Sequence, residues 1–195
     1  MKLIEGIKQQ GSPFYISNYI RRDLLDFFID LGFTVGVEVG VNRGSFTRIF
    51  CEVGLKIYGI DPYMRYDGYS HLRKCTLDRL YEQAEIKLAV YPNCTLVRKT
   101  SVDAAKDFED GSIDFVYIDG NHLTKHVFED ICAWSDKVRV GGIISGHDYN
   151  LETVEKAVKS YVEIYGIKNW FVLGKEELPL YGHIDKGRCW MWMKT

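Results

Sequence analysis

The stretch Thr34-Val35-Gly36-Val37-Glu38-Val39-Gly40-Val41-Asn42-Arg43-Gly44-Ser45 reads as a β-strand, a tight turn and the first residue of a helix. Residues 34–39 are compact and largely apolar, as in a parallel strand covered on both faces. The glycines of the following Gly-x-x-x-Gly let the backbone turn sharply and come close to a ligand. A helix over residues 45–53 would present unpaired N–H groups at its first turn. A second strand at 56–60 ends at Asp61-Pro62. Strand, helix and strand in this order form a βαβ unit, which requires parallel pairing.

The same alternation continues outward. Further strands are expected at residues 95–98, 113–118 and 143–146, the last after Gly141-Gly142. Between them the spacing predicts helices at 72–90, at 101–108 with Ser101 as cap, and at 123–137. Leu151, Val154, Val158, Tyr161 and Val162 mark one more helix. Two late apolar runs, 170–173 and 189–193, have only a loop between them and are expected to pair as an antiparallel hairpin at the sheet edge. Upstream, Ser17 is expected to cap a helix over 18–31, with Ile20, Leu24, Phe27, Phe28 and Leu31 on one face and Gly32 stopping it. The fold expected is α/β: a Rossmann-like doubly wound sheet, mostly parallel with an antiparallel C-terminal edge strand. Residues 1–195 are read as one domain, with an N-terminal helical cap at 1–32 and a core at 33–195.

Composition narrows the function classes. A chain of 195 residues with 46% apolar residues excludes general disorder. A formal net charge of −2 gives no electrostatic case for nucleic acid or an anionic membrane as main partner. No apolar run approaches the ~18 residues of a membrane span, and Met1-Lys2-Leu3-Ile4-Glu5 turns polar too early for a signal peptide. The five cysteines form no Cys-x-x-Cys pair, so a reduced, cytoplasmic setting is expected.

In an open parallel sheet, ligands bind outside the carboxyl ends of the strands, near the switch point in strand order. The residues just past the strands are the turn after Glu38, then Asp61-Pro62-Tyr63, Thr100-Ser101, Asp119-Gly120-Asn121-His122 and His147-Asp148-Tyr149. Acids, histidines and glycines gather there while the strand interiors are apolar. The dinucleotide pattern G-x-G-x-x-G is absent, because Asn42 stands where its second glycine would be. Glu38 beside the turn suits a cationic ligand group, and Asp61, 23 residues later, is placed to accept from ribose hydroxyls.

Together these residues resemble the class I S-adenosylmethionine-dependent methyltransferases. By that resemblance Gly40 and Gly44 line the methionine part of the cofactor and Glu38 supports its amino group. Val41, Asn42, Ser45, Pro62 and Asp119 complete the cofactor site, Asp61 takes the ribose, and Ser101 and Val102 contact the adenine. The runs Asp114-Phe115-Val116-Tyr117-Ile118-Asp119-Gly120-Asn121-His122 and Gly141-Gly142-Ile143-Ile144-Ser145-Gly146-His147-Asp148-Tyr149 look more specifically like small-molecule members, the macrolide-sugar O-methyltransferases and relatives of cephalosporin hydroxylase. That subfamily implies O-methylation of a small hydroxylated acceptor and His122 as general base. It also implies a divalent metal, Mg or Mn, held by Asp119, His147 and Asp148. His147 replaces a glutamate of the closest sugar methyltransferases, and mixed N and O ligation suits Mn, Fe, Co or Zn better than Mg.

Three alternatives stand beside this reading. Asp119, His122 and His147 form the residue set of a two-His, one-carboxylate iron oxygenase. A non-catalytic cofactor-binding module and an NAD-binding oxidoreductase are the others, the last weakened by the missing glycine pattern. The partners expected are a small-molecule acceptor, with no nucleic acid and no membrane, and with homo-oligomerisation open. Of the remaining polar and aromatic residues, His126 is expected to face outward and residues 106–110 to be solvated, while Asp130 is either a partner behind the site or, the favoured reading, a solvated helix residue. Tyr63, Tyr66, Tyr69 and His71 form either a lid or loop packing, and Trp190 and Trp192 belong to the core.

Overall fold

A computed structural model describes residues 3–17, 19, 21–65, 73–174 and 187–195. The helices among them are α1 (Leu3–Gly6), α2 (Asp23–Asp30), α3 (Ser45–Glu52), α4 (Lys74–Leu88), α5 (Ser101–Ala105), α6 (Thr124–Ser135) and α7 (Glu152–Ile164). The strands are β1 (Phe14–Ile16), β2 (Val35–Val39), β3 (Lys56–Ile60), β4 (Cys94–Val97), β5 (Ile113–Ile118), β6 (Val138–Gly146), β7 (Phe171–Leu173) and β8 (Cys189–Met193). They form one sheet in the order β1-β7-β8-β6-β5-β2-β3-β4. All neighbours pair parallel except at β8, which runs against both β6 and β7. The expected doubly wound sheet and its antiparallel late pair are present.

Order follows from burial. Every residue of β5 is buried, and its side chains alternate between two cores. Val116 and Ile118 pack with Val37, Val39 and Ile144 against α5, α6 and α7. Phe115 and Tyr117 pack with Ile57 and Ile143 against α2 and α3. Trp134, Trp190 and Trp192 belong to the first core, as expected for the two late tryptophans, whose rings stack at 5.3 Å. After β2 the chain builds outward through β3 and β4, then returns to lay β5 on the other side of β2. The switch point therefore lies between the carboxyl ends of β2 and β5.

Several element bounds differ from expectation. The helix placed at 18–31 begins at Asp23, and Arg22 rather than Ser17 stands at its N-cap, without a side-chain cap. Just upstream, β1 pairs with β7 and holds residues 14–16 extended; Asn18 and Ile20 lie outside the described residues. Thr100, not Ser101, caps α5, its Oγ1 accepting from the Asp103 N–H at 3.3 Å. β6 starts five residues early, at Val138, and carries Gly141-Gly142 within the strand. Tyr66, Tyr69 and His71 lie outside the described residues, as do residues 175–186.

Candidate functional site

A cavity of about 660 Å³ opens at the carboxyl ends of β2, β3, β4 and β5, a volume suited to a small molecule or cofactor. Its shape begins with Gly40, which takes φ of +96° at the end of β2. A Cβ there would stand 2.1 Å from the Asp119 carbonyl oxygen, so only glycine lets the turn pass this close to β5. Gly40 N–H donates to the Ile60 carbonyl at 2.8 Å and Asp119 N–H to Val39 at 2.7 Å, locking three strand ends together.

Asp61 organises the turn from the next strand. Its carboxylate accepts from the Asn42 N–H at 2.9 Å and the Tyr63 N–H at 3.0 Å. Tyr63 is buried, and its hydroxyl donates to the Asn42 carbonyl at 2.9 Å. Of the four residues weighed as lid or packing, Tyr63 packs the loop. Burial raises the Asp61 pKa while these backbone donors oppose the shift.

Glu38 forms the floor. It is 1% exposed and accepts a hydrogen bond from the Thr47 hydroxyl of α3. Desolvation pushes its pKa up to about 8, with Asp119 adding to the shift and Thr47 and Arg21 opposing it. Burial therefore favours the neutral form of Glu38, and a cation beside it would favour the charged form.

At the β5 and β6 ends, four charged groups meet. His122 Nε2 lies 2.9 Å from Asp148 Oδ2 and 3.8 Å from Asp119 Oδ1. These two acids raise the His122 pKa to about 9, and the histidines in turn hold Asp119 and Asp148 below the usual carboxylate range against burial. Arg21 Nη1 donates to Asp119 Oδ2 at 3.1 Å, with its guanidinium 4.5 Å from the Phe46 ring centre. Asp119, His122 and Asp148 each offer one donor atom, all within 4.8 Å of one another. Two carboxylates and an imidazole fit a divalent cation. His147, 8% exposed, sits beside them with Nδ1 3.2 Å from Asp148 Oδ1 and 3.6 Å from Asp119 Oδ1.

Glu38, Gly40, Val41, Asn42, Ser45, Asp61, Pro62, Ser101, Val102, Asp119 and His122 all line the cavity. Gly44 does not: it precedes α3 with φ of +69° and packs toward Leu88. His147 and Asp148 also lie outside the lining and reach it through His122. Two expectations are corrected. His126 lines the cavity, its Nδ1 3.2 Å from Glu129 Oε2. Asp130, expected to be solvated, is 5% exposed and lines the cavity too. Its signal was available, because Val127, Asp130, Ile131 and Trp134 share one buried helical stripe. Arg21 and Phe46 are lining residues that no motif announced.

A family model described as a methyltransferase domain matches residues 37–149, more than half of the chain. No curated protein matches the chain in sequence. Among solved structures, the chain is similar to an rRNA methylase from Streptococcus thermophilus, with 16% identity and a TM-score of 0.59 over 88% of this chain and 93% of that one. It is also similar to the O-methyltransferase TomG from Streptomyces achromogenes, in complex with SAM and involved in tomaymycin synthesis. There the identity is 12% and the TM-score 0.62, over 89% of this chain and 79% of that one. An O-methyltransferase from Bacillus cereus in complex with SAH gives 13% identity and a TM-score of 0.59, over 89% and 80%. At these identities the structural likenesses establish the shared fold.

Proposed function

The chain belongs to the methyltransferase-domain family, and from that premise we propose that it uses S-adenosylmethionine (SAM) to methylate a hydroxyl group of a small acceptor. The observation that carries this reading is one continuous cavity joining the glycine turn, Glu38 and Asp61 to Asp119 and His122. The two ends supply different chemistry: a cofactor end with a buried acid, and a proton-handling end with paired charges.

The residues fit the cofactor. When bound, SAM supplies an activated methyl group on a sulfonium. Glu38 faces its ammonium group, exchanging its proton for the ligand's positive charge. Asp61 keeps acceptor capacity for ribose hydroxyls beyond its two backbone donors. Val41, Asn42, Ser45 and Pro62 shape the turn around the ligand, while Ser101 and Val102 border the base. Gly44 acts indirectly, by setting the direction of α3.

His122 is the base that receives the acceptor's hydroxyl proton, with Asp148 orienting its ring. Asp119 and Asp148, with His147 Nδ1 beside both, would hold a divalent cation and leave His122 to take the proton; such an ion would lower the acceptor hydroxyl's pKa. In the absence of an ion, the charges of Arg21 and protonated His122 balance those of Asp119 and Asp148. A formal net charge of −2 favours a small acceptor over RNA. The oxygenase reading gains no support from the family match, and it leaves the glycine turn and Asp61 without a role.

The test is methyl transfer from labelled SAM to a panel of small hydroxylated compounds, with RNA as a comparison acceptor. Label in a small-molecule ether supports the reading. Label in RNA, or SAM binding with no transfer to any acceptor, overturns the acceptor assignment.

A further inference from the structure

The carboxylate oxygens of Asp119 and Asp148 are all engaged within the chain. Asp148 Oδ2 faces His122 Nε2 at 2.9 Å, and its Oδ1 faces His147 Nδ1 at 3.2 Å. Asp119 Oδ1 faces the same two histidines, at 3.8 Å and 3.6 Å. The other oxygen of Asp119, Oδ2, accepts from Arg21 Nη1 at 3.1 Å. This last partner differs from the histidines in kind. An imidazole can lose a proton and offer a lone pair to a metal, whereas a guanidinium keeps its charge at any working pH and has no lone pair to offer. One oxygen of Asp119 is therefore held by a permanent cation.

The aromatic wall of the cavity fixes that cation in place. Arg21 stands between β1 and α2, upstream of the family-matched residues 37–149. Its guanidinium lies 4.5 Å from the ring centre of Phe46 on α3, and that ring packs in turn on Phe50 at 4.7 Å and Tyr117 at 5.1 Å. Contact with an aromatic face and a charged hydrogen bond together favour one position for the side chain. Arg21 and Asp119 both line the cavity, so a ligand entering it meets the pair.

We propose that Arg21 is a built-in counter-ion that competes with a divalent cation for Asp119, so that the site takes metal weakly while the arginine is in place. An ion held by Asp119 must displace the guanidinium from Oδ2 or share the carboxylate with it, and in both cases the two cations repel. The segment before α2 thereby sets how strongly the site draws metal. The competition rests on the reading that Asp119 and Asp148 are the carboxylates that would hold the ion.

The experiment measures Mn²⁺ binding through the loss of the free-ion electron paramagnetic resonance signal, at one pH and ionic strength. It compares the unaltered chain with Arg21→Gln, which removes the charge, and Arg21→Lys, which keeps it. We expect Arg21→Gln to bind Mn²⁺ at least about tenfold more tightly than the unaltered chain, the lower end of the range for a hydrogen bond to a charged group. Arg21→Lys should stay within about threefold of the unaltered chain. Adding Asp119→Asn to Arg21→Gln should remove the gain. A merely structural role for Arg21 would move the two single variants alike. Equal or weaker binding in Arg21→Gln overturns the proposal, as does an equal gain in both single variants or a gain that survives Asp119→Asn. If none of the chains binds Mn²⁺, the metal reading of the site has failed and the proposal falls with it. That outcome is distinct from equal binding in all of them, which removes the role of Arg21 alone.

Discussion

His122 Nε2 lies 2.9 Å from Oδ2 of Asp148, which stands two residues past the end of β6 with φ of +55°. The contact joins the loops after β5 and β6. It also explains how a histidine with 35% of its side chain exposed keeps its proton to about pH 9. The same acid that aims the ring toward the cavity opposes the release of its proton.

The first prediction follows from that opposition. His122→Gln should leave SAH affinity within about threefold and lower the turnover rate by roughly 10²–10⁴, the usual contribution of a positioned base. In the unaltered enzyme the base form grows as pH rises, so turnover should increase from pH 7 toward about 9. Single-turnover rates across that range check both points; a pH-independent rate would remove His122 as the base.

Glu38 gives a second pH dependence with its own sign. With a pKa near 8 it is mostly protonated at pH 7, and a cationic ligand favours its ionised form. SAM binding at pH 7 should therefore release a proton, and affinity should rise toward pH 8. Calorimetry in buffers of different ionisation enthalpy measures the proton count. Glu38→Gln should abolish the release and weaken binding by about tenfold to a hundredfold.

Gly40→Ala should fail sterically. Its Cβ would overlap the Asp119 carbonyl at a backbone angle that disfavours L-residues. A loss of about 2–4 kcal/mol of stability is expected, as for other strained or overpacked sites. Denaturant melts check it, and near-unchanged stability with retained SAH binding would contradict the tight β2–β5 approach.

Asp114 tests the scaffold apart from the site. At the start of β5 its carboxylate accepts from Thr34 N–H at 2.7 Å, Val35 N–H at 2.9 Å and Arg139 Nε at 2.7 Å. Despite partial burial, these donors hold its pKa below the usual range. Its stabilisation is present above the unfolded pKa of about 3.9 and is lost as pH falls through the lower folded value. Asp114→Ala should cost about 2–3 kcal/mol at pH 7 and progressively less below pH 4, leaving SAH affinity intact. Urea melts at the two pH values read this directly.

Much of the fold was legible because its strands are punctuated. β3 and β5 carry their expected bounds, since an apolar run with an acid directly after it leaves little choice of ends. β1 was not legible: three residues make no pattern, and their strand form comes from pairing with β7 at the far end of the chain. The early start of β6 was hidden by Gly141-Gly142, which resembles a loop in sequence yet lies within the sheet. In the site, the acids and histidines after each strand could be found from topology alone. Asp130 was misjudged because charge outweighed its place in the buried stripe. Arg21 reaches Asp119 through tertiary packing that no local pattern encodes.

The most direct test of the central claim is calorimetric titration of the chain with SAM, using NAD as control, each with and without Mn²⁺ or Mg²⁺. The account predicts binding of one SAM per chain and none of NAD, with any metal effect acting through Asp119, His147 and Asp148. Absence of SAM binding under every condition would contradict it.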